Sequence, residues 1–155
     1  MRVEPMKPEG ETPPFLTLSG ALVLLRDNSR AARGTFVGEL HEARRFETEL
    51  FWQLYCAACV LADAGPNRRD EDVARQAFIV QSYTLKSLIW HFSPHDALAI
   101  EGLPEAELQG HVARMEWCLD PVILRQRKQR AFPASDDGLI NPHEEALLQV
   151  LGLQG

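Results

Sequence analysis

Three cysteines and two closely spaced histidines carry the most reactive side chains in this sequence. Cys56-Ala-Ala-Cys59 places two thiols one helical turn apart. A redox Cys-x-x-Cys works at a helix N-terminus after a strand, where the helix dipole lowers a thiol pKa. Here the pair falls late in a long apolar, helix-periodic run, which predicts structural thiols in a core. No histidine follows Cys59, so the pair is not a haem attachment motif. A zinc site would need two more ligands, which Cys118 and a histidine could supply. His91 and His95 stand four apart, the spacing that presents two metal ligands on one helix, and Asp96 would make a His-His-Asp set. Ser93-Pro94 lies between them, however, and predicts that one helix ends and another starts there, with Asp96 in the new first turn. Cys56, Cys59, Cys118, His91, His95 and Asp96 are thus the candidate metal ligands, with zinc as the ion. Core thiols and a capped helix junction are the plainer expectation.

The remaining polar clusters point to surfaces. Glu107 and His111, four apart, are expected to form an exposed ion pair on a helix. His41 and His143 have no partner legible in the sequence. Arg125-Gln-Arg-Lys-Gln-Arg130 is a basic cluster at an expected helix end, where cations complement the dipole. Arg125, Arg127, Lys128 and Arg130 could also anchor an acidic protein or nucleic acid. The aromatics Phe51, Trp52, Tyr55, Phe78, Tyr83 and Trp90 are expected mostly in the core. Any surplus beyond what one small bundle can cover would mark an interface. Trp52 and Tyr55, with the basic cluster, are the candidate partner-binding residues.

The elements that must position these residues are helices. Phe15 to Leu25 could open as a strand, but a helix over 20–32 with Ser19 as N-cap and Gly34 as its stop is favoured. Thr35 then caps a long helix over 35–64. Phe36, Leu40, Ala43, Leu50, Leu54, Ala57 and Leu61 recur along it at helical spacing, with Glu47 the one interruption. A second stripe of Trp52, Cys56 and Cys59 makes its later half apolar nearly all round. Such a helix is central to a bundle or lies in a subunit interface. Gly65-Pro66 ends it. A helix over 70–92 follows, and the short connection predicts an antiparallel hairpin of these two. Proline preceded by Ser, Asp or Asn marks further starts. Shorter helices are expected over 94–101, 104–119, 121–130 and 142–151, the last with a capping box of Asn141 and Glu144. The fold class is therefore all-α: a compact bundle of about six helices around a central antiparallel helical hairpin. Residues 1–14, rich in proline and glutamate, form an arm, and 15–155 a single domain.

Composition narrows the functions. The 155-residue chain has 16 Lys and Arg against 22 Asp and Glu, a net charge of −6. This acidity disfavours polyanion binding as the main activity. No apolar leader and no span of membrane length is present, which makes a cytoplasmic location the expectation. The odd cysteine count fits a reducing compartment. No Glu-x-x-His pair, phosphate-binding loop or nucleophile elbow occurs. The expectation is a non-catalytic protein-interaction module, such as an inhibitor or immunity protein, or one that forms a homodimer. A metal- or thiol-dependent enzyme and a nucleic-acid regulator working through Arg125–Arg130 are the alternatives.

Overall fold

Two Thr-x-x-Gly sequences open the first two helices by the same device. The Thr17 hydroxyl donates to the Pro14 carbonyl at 2.8 Å and accepts from the Gly20 amide at 3.1 Å. Thr35 repeats this, donating to the Ala32 carbonyl at 2.7 Å and accepting from the Gly38 amide at 3.0 Å. Each threonine satisfies an N–H that the first turn leaves without a helical partner. The glycines are required by space. A Cβ on Gly20 would lie 1.8 Å from the Pro14 oxygen, and one on Gly38 would lie 1.9 Å from the Ala32 oxygen.

The computed structural model describes residues 11–65, 70–95, 99–128, 132 and 138–152. Six α-helices occur among them: α1 Leu18–Ser29, α2 Phe36–Glu42, α3 Thr48–Ala64, α4 Asp70–Phe92, α5 Leu108–Ile123 and α6 Glu144–Leu151. Short 3-10 turns at Pro14–Leu16 and Glu105–Glu107 lead into α1 and α5. The all-α bundle expected from the sequence is what forms.

The pairing of the two long helices differs from the expected hairpin. α1 packs on both α3 and α4, and α5 packs on the same two. No Cα of α3 comes within 8 Å of one in α4. The two long helices thus stand diagonally across a four-helix ring, although five residues join them. The reason lies in α3, which is buried on every side from Phe51 to Ala62 save at Gln53. A helix apolar all round needs neighbours all round. α1, α5, α6, α2 and the Pro14–Leu16 turn supply them.

Several boundaries shift for local reasons. α1 starts two residues before the expected helix because Thr17, not Ser19, is its cap. It ends at Ser29, before Gly34, with Ala31 left-handed at φ +51°. The helix expected over 35–64 breaks at 43–47. Arg44 turns left-handed at φ +50°, and the chain pairs with Glu101: the Glu101 amide donates to the Arg44 carbonyl at 2.7 Å and the Phe46 amide to the Glu101 carbonyl at 2.9 Å. In an unbroken helix Phe46 would leave the apolar stripe; after the break it lies 6% exposed between Phe36, Phe51 and His111. The described part of 94–101 is a turn and an extended segment, not a helix. The helices expected over 104–119 and 121–130 are one, α5, which runs through Pro121. A proline near a helix end loses a single bond, and here Pro121 and Val122 continue the buried face. Asp120 is no cap; its carboxylate accepts from Gln81 of α4 at 3.0 Å.

One polar core residue ties α1 to α2. Asn28, 1% exposed, donates to the Leu24 carbonyl at 2.9 Å and accepts from the Val37 amide at 3.0 Å. Its amide so closes one helix and opens the next.

Candidate functional site

The thiols sit together inside the bundle. Cys56, Cys59 and Cys118 are free and buried. Desolvation pushes the Cys56 thiol up to about 12, though a bond from the Asn141 amide opposes it. Burial raises Cys59 and Cys118 further, and each thiol disfavours ionisation of its neighbours. Tyr55 is raised as well, chiefly by burial. A neutral, dry thiol is neither a nucleophile nor a ready metal ligand. Among the described residues, no group of three or more His, Cys, Asp or Glu is arranged to hold a metal ion. The expected zinc set is therefore not assembled from Cys56, Cys59, Cys118, His91 and His95; Asp96 lies outside the described residues.

Each histidine has a local task. His91 Nδ1 accepts from the Ile100 amide at 2.8 Å, and its Nε2 lies 3.1 Å from the Glu105 carboxylate, so both ring nitrogens are engaged. His95 is exposed in the turn after α4. His111 forms no surface ion pair with Glu107. It is 2% exposed, its Nδ1 donates to the Glu107 carbonyl at 2.9 Å, and its ring meets Phe46, Phe51 and Trp52. The pairing that the spacing suggested is made to the backbone because the aromatic box draws the ring inward. His143 and His41 do have partners. His143 Nε2 lies 2.6 Å from the Glu49 carboxylate, and His41 Nδ1 lies 2.8 Å from the Tyr83 hydroxyl.

The candidate partner-binding residues are mostly structural. Trp52 and Tyr55 are each 3% exposed, so neither offers a surface. Their stripe faces α5 and α6 rather than solvent, because α3 is the central helix. The basic segment does begin at a helix end, that of α5, which closes at Ile123, but its later residues serve a second one. Arg125 stands left-handed at φ +55° after α5, and the chain then crosses the C-terminus of α3. The Lys128 amide donates to the Ala62 carbonyl at 3.0 Å, and the Arg127 guanidinium to the Asp63 carbonyl at 2.9 Å. The strap satisfies carbonyls that the end of α3 leaves open and sets positive charge on its negative pole. The Lys128 ammonium also lies 3.3 Å from the centre of the Trp117 ring. Arg130 lies outside the described residues.

Among the described residues, α4 carries more exposed large apolar side chains than any other helix, where the sequence pattern pointed to core. Phe78 is 58% exposed, Ile79 41%, Ile89 67%, Trp90 41% and Phe92 56%. Phe78, Leu85, Ile89 and Phe92 recur at seven, four and three residues and form one ridge; Ile79 and Trp90 flank it. The inner face of α4 is Ala77, Val80, Thr84 and Leu88, all buried. Small inner residues bring α1 and α5 close and leave the larger side chains outside. From Val73 to Phe92 this helix carries Arg75 and Lys86 and no carboxylate.

Beside that ridge a pocket of about 220 Å³ opens between α2 and α4. Leu40, Tyr83, Trp90 and Ile100 form its walls, and His41, Arg44 and Ser87 its polar groups. Edge-to-face contacts of His41 on Tyr83 and Tyr83 on Trp90, at 5.7 and 6.5 Å, hold the rings in place.

No family model matches this chain, and comparison with curated proteins and with solved structures finds no match. Among the described residues no helix is long and apolar enough to cross a membrane.

Proposed function

We propose that this protein is a non-catalytic protein-binding module whose contact surface is the outward face of α4. The observation that carries this is the ridge together with its flanks, where Phe78, Ile79, Ile89, Trp90 and Phe92 are each more than two-fifths exposed on one helix. Side chains of this size at such exposure leave roughly 500 Å² of apolar surface in water, at the upper end of what a monomer shows. Covering it would remove roughly 12 kcal/mol of hydrophobic penalty at about 25 cal/mol per Å², before the costs of association. An inhibitor or immunity protein that occludes a partner's working surface is one form of such a module, and a homodimer through α4 is another. The burial of all three thiols supports a binding role over thiol chemistry. The capping role of Arg127 and Lys128 weakens the case for nucleic acid.

The test combines native mass spectrometry of the purified protein with cross-linked capture from its source cells. Phe78→Glu with Ile89→Glu should abolish the self-association or the captured partner. Val150→Glu, an exposed control on α6, should leave it intact. If the wild type is monomeric and captures nothing that the double variant loses, the module has no contact surface on α4.

A further inference from the structure

We propose that the pocket between α2 and α4 is a carboxylate-anchoring site that takes an apolar acid of amino-acid size, such as the C-terminal residue of a partner chain. As an anchor for a partner, it rests on the α4 contact surface proposed above; as a site for the acid, it stands alone.

The pocket combines two chemistries. Tyr83, Trp90, Leu40 and Ile100 give walls for a short apolar or aromatic body. Arg44 and His41 give cationic or N–H groups at the polar side, and Lys86 lies on α4 one turn from both Tyr83 and Trp90. Among the described residues neither Arg44 nor Lys86 makes an ion pair. The neighbouring acids are engaged elsewhere or weakly. Glu101 reaches Arg45 at 3.9 Å, and Glu42 approaches His41 Nε2 only to 3.9 Å. A protein of net charge −6 thus presents a cationic rim at a concave spot beside its apolar ridge. A guanidinium binds a carboxylate through two parallel hydrogen bonds, a fit that a neutral amide cannot reproduce. The volume of about 220 Å³ is below the usual range for larger organic ligands and suits one amino-acid residue.

The backbone at Arg44 makes the test sharper. Its φ of +50° is a helix C-terminal conformation that glycine adopts without strain. Arg44→Gly should therefore raise the thermal midpoint by roughly 2–4 °C while removing the anchor. A residue with only a structural role would not separate the two effects.

The experiment titrates N-acetyl-phenylalanine, its amide and inorganic phosphate into the labelled full-length protein. It follows the Trp90 indole N–H by NMR, assigned with Trp90→Phe. We expect saturable shifts with the acid, at a dissociation constant on the order of millimolar, and at least tenfold weaker binding of the amide. Arg44→Gly should lose the response and Arg44→Lys should keep part of it. Phe78→Glu with Ile89→Glu should leave it unchanged. A tetrapeptide ending in free phenylalanine that binds more tightly than the single residue would identify a chain terminus as the source. A tetrapeptide that binds more weakly than the single residue would overturn the chain-terminus source. Equal response to acid and amide, equal response to phosphate, or no saturable shift would overturn the carboxylate site. Each of those results leaves the α4 surface to be judged by its own variants.

Discussion

At the scale of single residues, burial decides what the reactive groups can do. A thiol in water ionises near 9.0, and Cys56 in the core is held up to about 12. The three thiols should therefore resist Ellman's reagent at pH 8 and all react once denaturant opens the fold. Rapid reaction of any one in the native state would place it outside the core. The same shift sets a pH dependence. Because the folded pKa lies above the unfolded one, the folded state holds its proton more tightly. Stability is fully present below about pH 9 and is lost as pH rises towards 12. Urea midpoints should fall between pH 8 and pH 10.5, and Cys56→Ala should flatten that fall. His111 makes the complementary case, a polar ring kept inside by three aromatic neighbours and one carbonyl. His111→Ala should cost about 2–4 kcal/mol by urea denaturation, from the cavity and the orphaned carbonyl together.

At the scale of elements, helix ends carry the specificity. The Thr-x-x-Gly starts of α1 and α2 are built so closely that a methyl group cannot enter. Gly20→Ala and Gly38→Ala should each destabilise by more than about 3 kcal/mol, since backbone must move to admit the Cβ. Thr17→Ala and Thr35→Ala should cost about 1–2 kcal/mol each. Equal effects for the glycine and threonine changes would mean that the helix starts relax more easily than their spacing implies. The end of α3 depends on a distant segment, the strap of Arg127 and Lys128. Arg127→Ala should lower stability by about 1 kcal/mol, because the bond is to an exposed-side carbonyl and its ion pair with Asp63 is long at 4.0 Å. Its basicity serves the end of α3, which explains how a cluster that resembles an anchor for anions arises in an acidic chain.

At the scale of the whole molecule, the ring of α3, α1, α4 and α5 leaves α4 with one covered face and one bare one. α3 is enclosed by five neighbours, while α4 has α1, α5 and α2. The bare face holds Phe78, Ile89 and Phe92; Phe92 meets the His91 ring edge-on, while Ile89 is 67% exposed, so a charge there removes little packing. Ile89→Glu should change unfolding free energy by less than about 0.5 kcal/mol. It should also raise solubility and remove any concentration-dependent association seen by sedimentation. A large loss of stability would show that the ridge packs within the monomer after all.

Much of this was legible in the residues alone. Helical periodicity and caps determined an all-α chain, a helix at α3 that had to be covered on several sides, and the burial of Cys56, Cys59 and Cys118, because these follow from local spacing and from the cost of wetting apolar faces; that the cover comes from within the chain was decided by the packing. Thr35 as a cap could be read for the same reason. The second Thr-x-x-Gly at Thr17 was equally present in the sequence, and the repetition of the motif was the signal that would have found it. What only the tertiary structure decided was partnership. Tyr83 meets His41 across 42 residues, Arg127 reaches the end of α3 across 64, and α3 and α4 stand apart despite their short link. Periodicity says that a helix has an apolar face and not which neighbour covers it. Trp52 and Phe78 look alike in a stripe, and the packing of α1 and α5 buries the first and leaves the second in water.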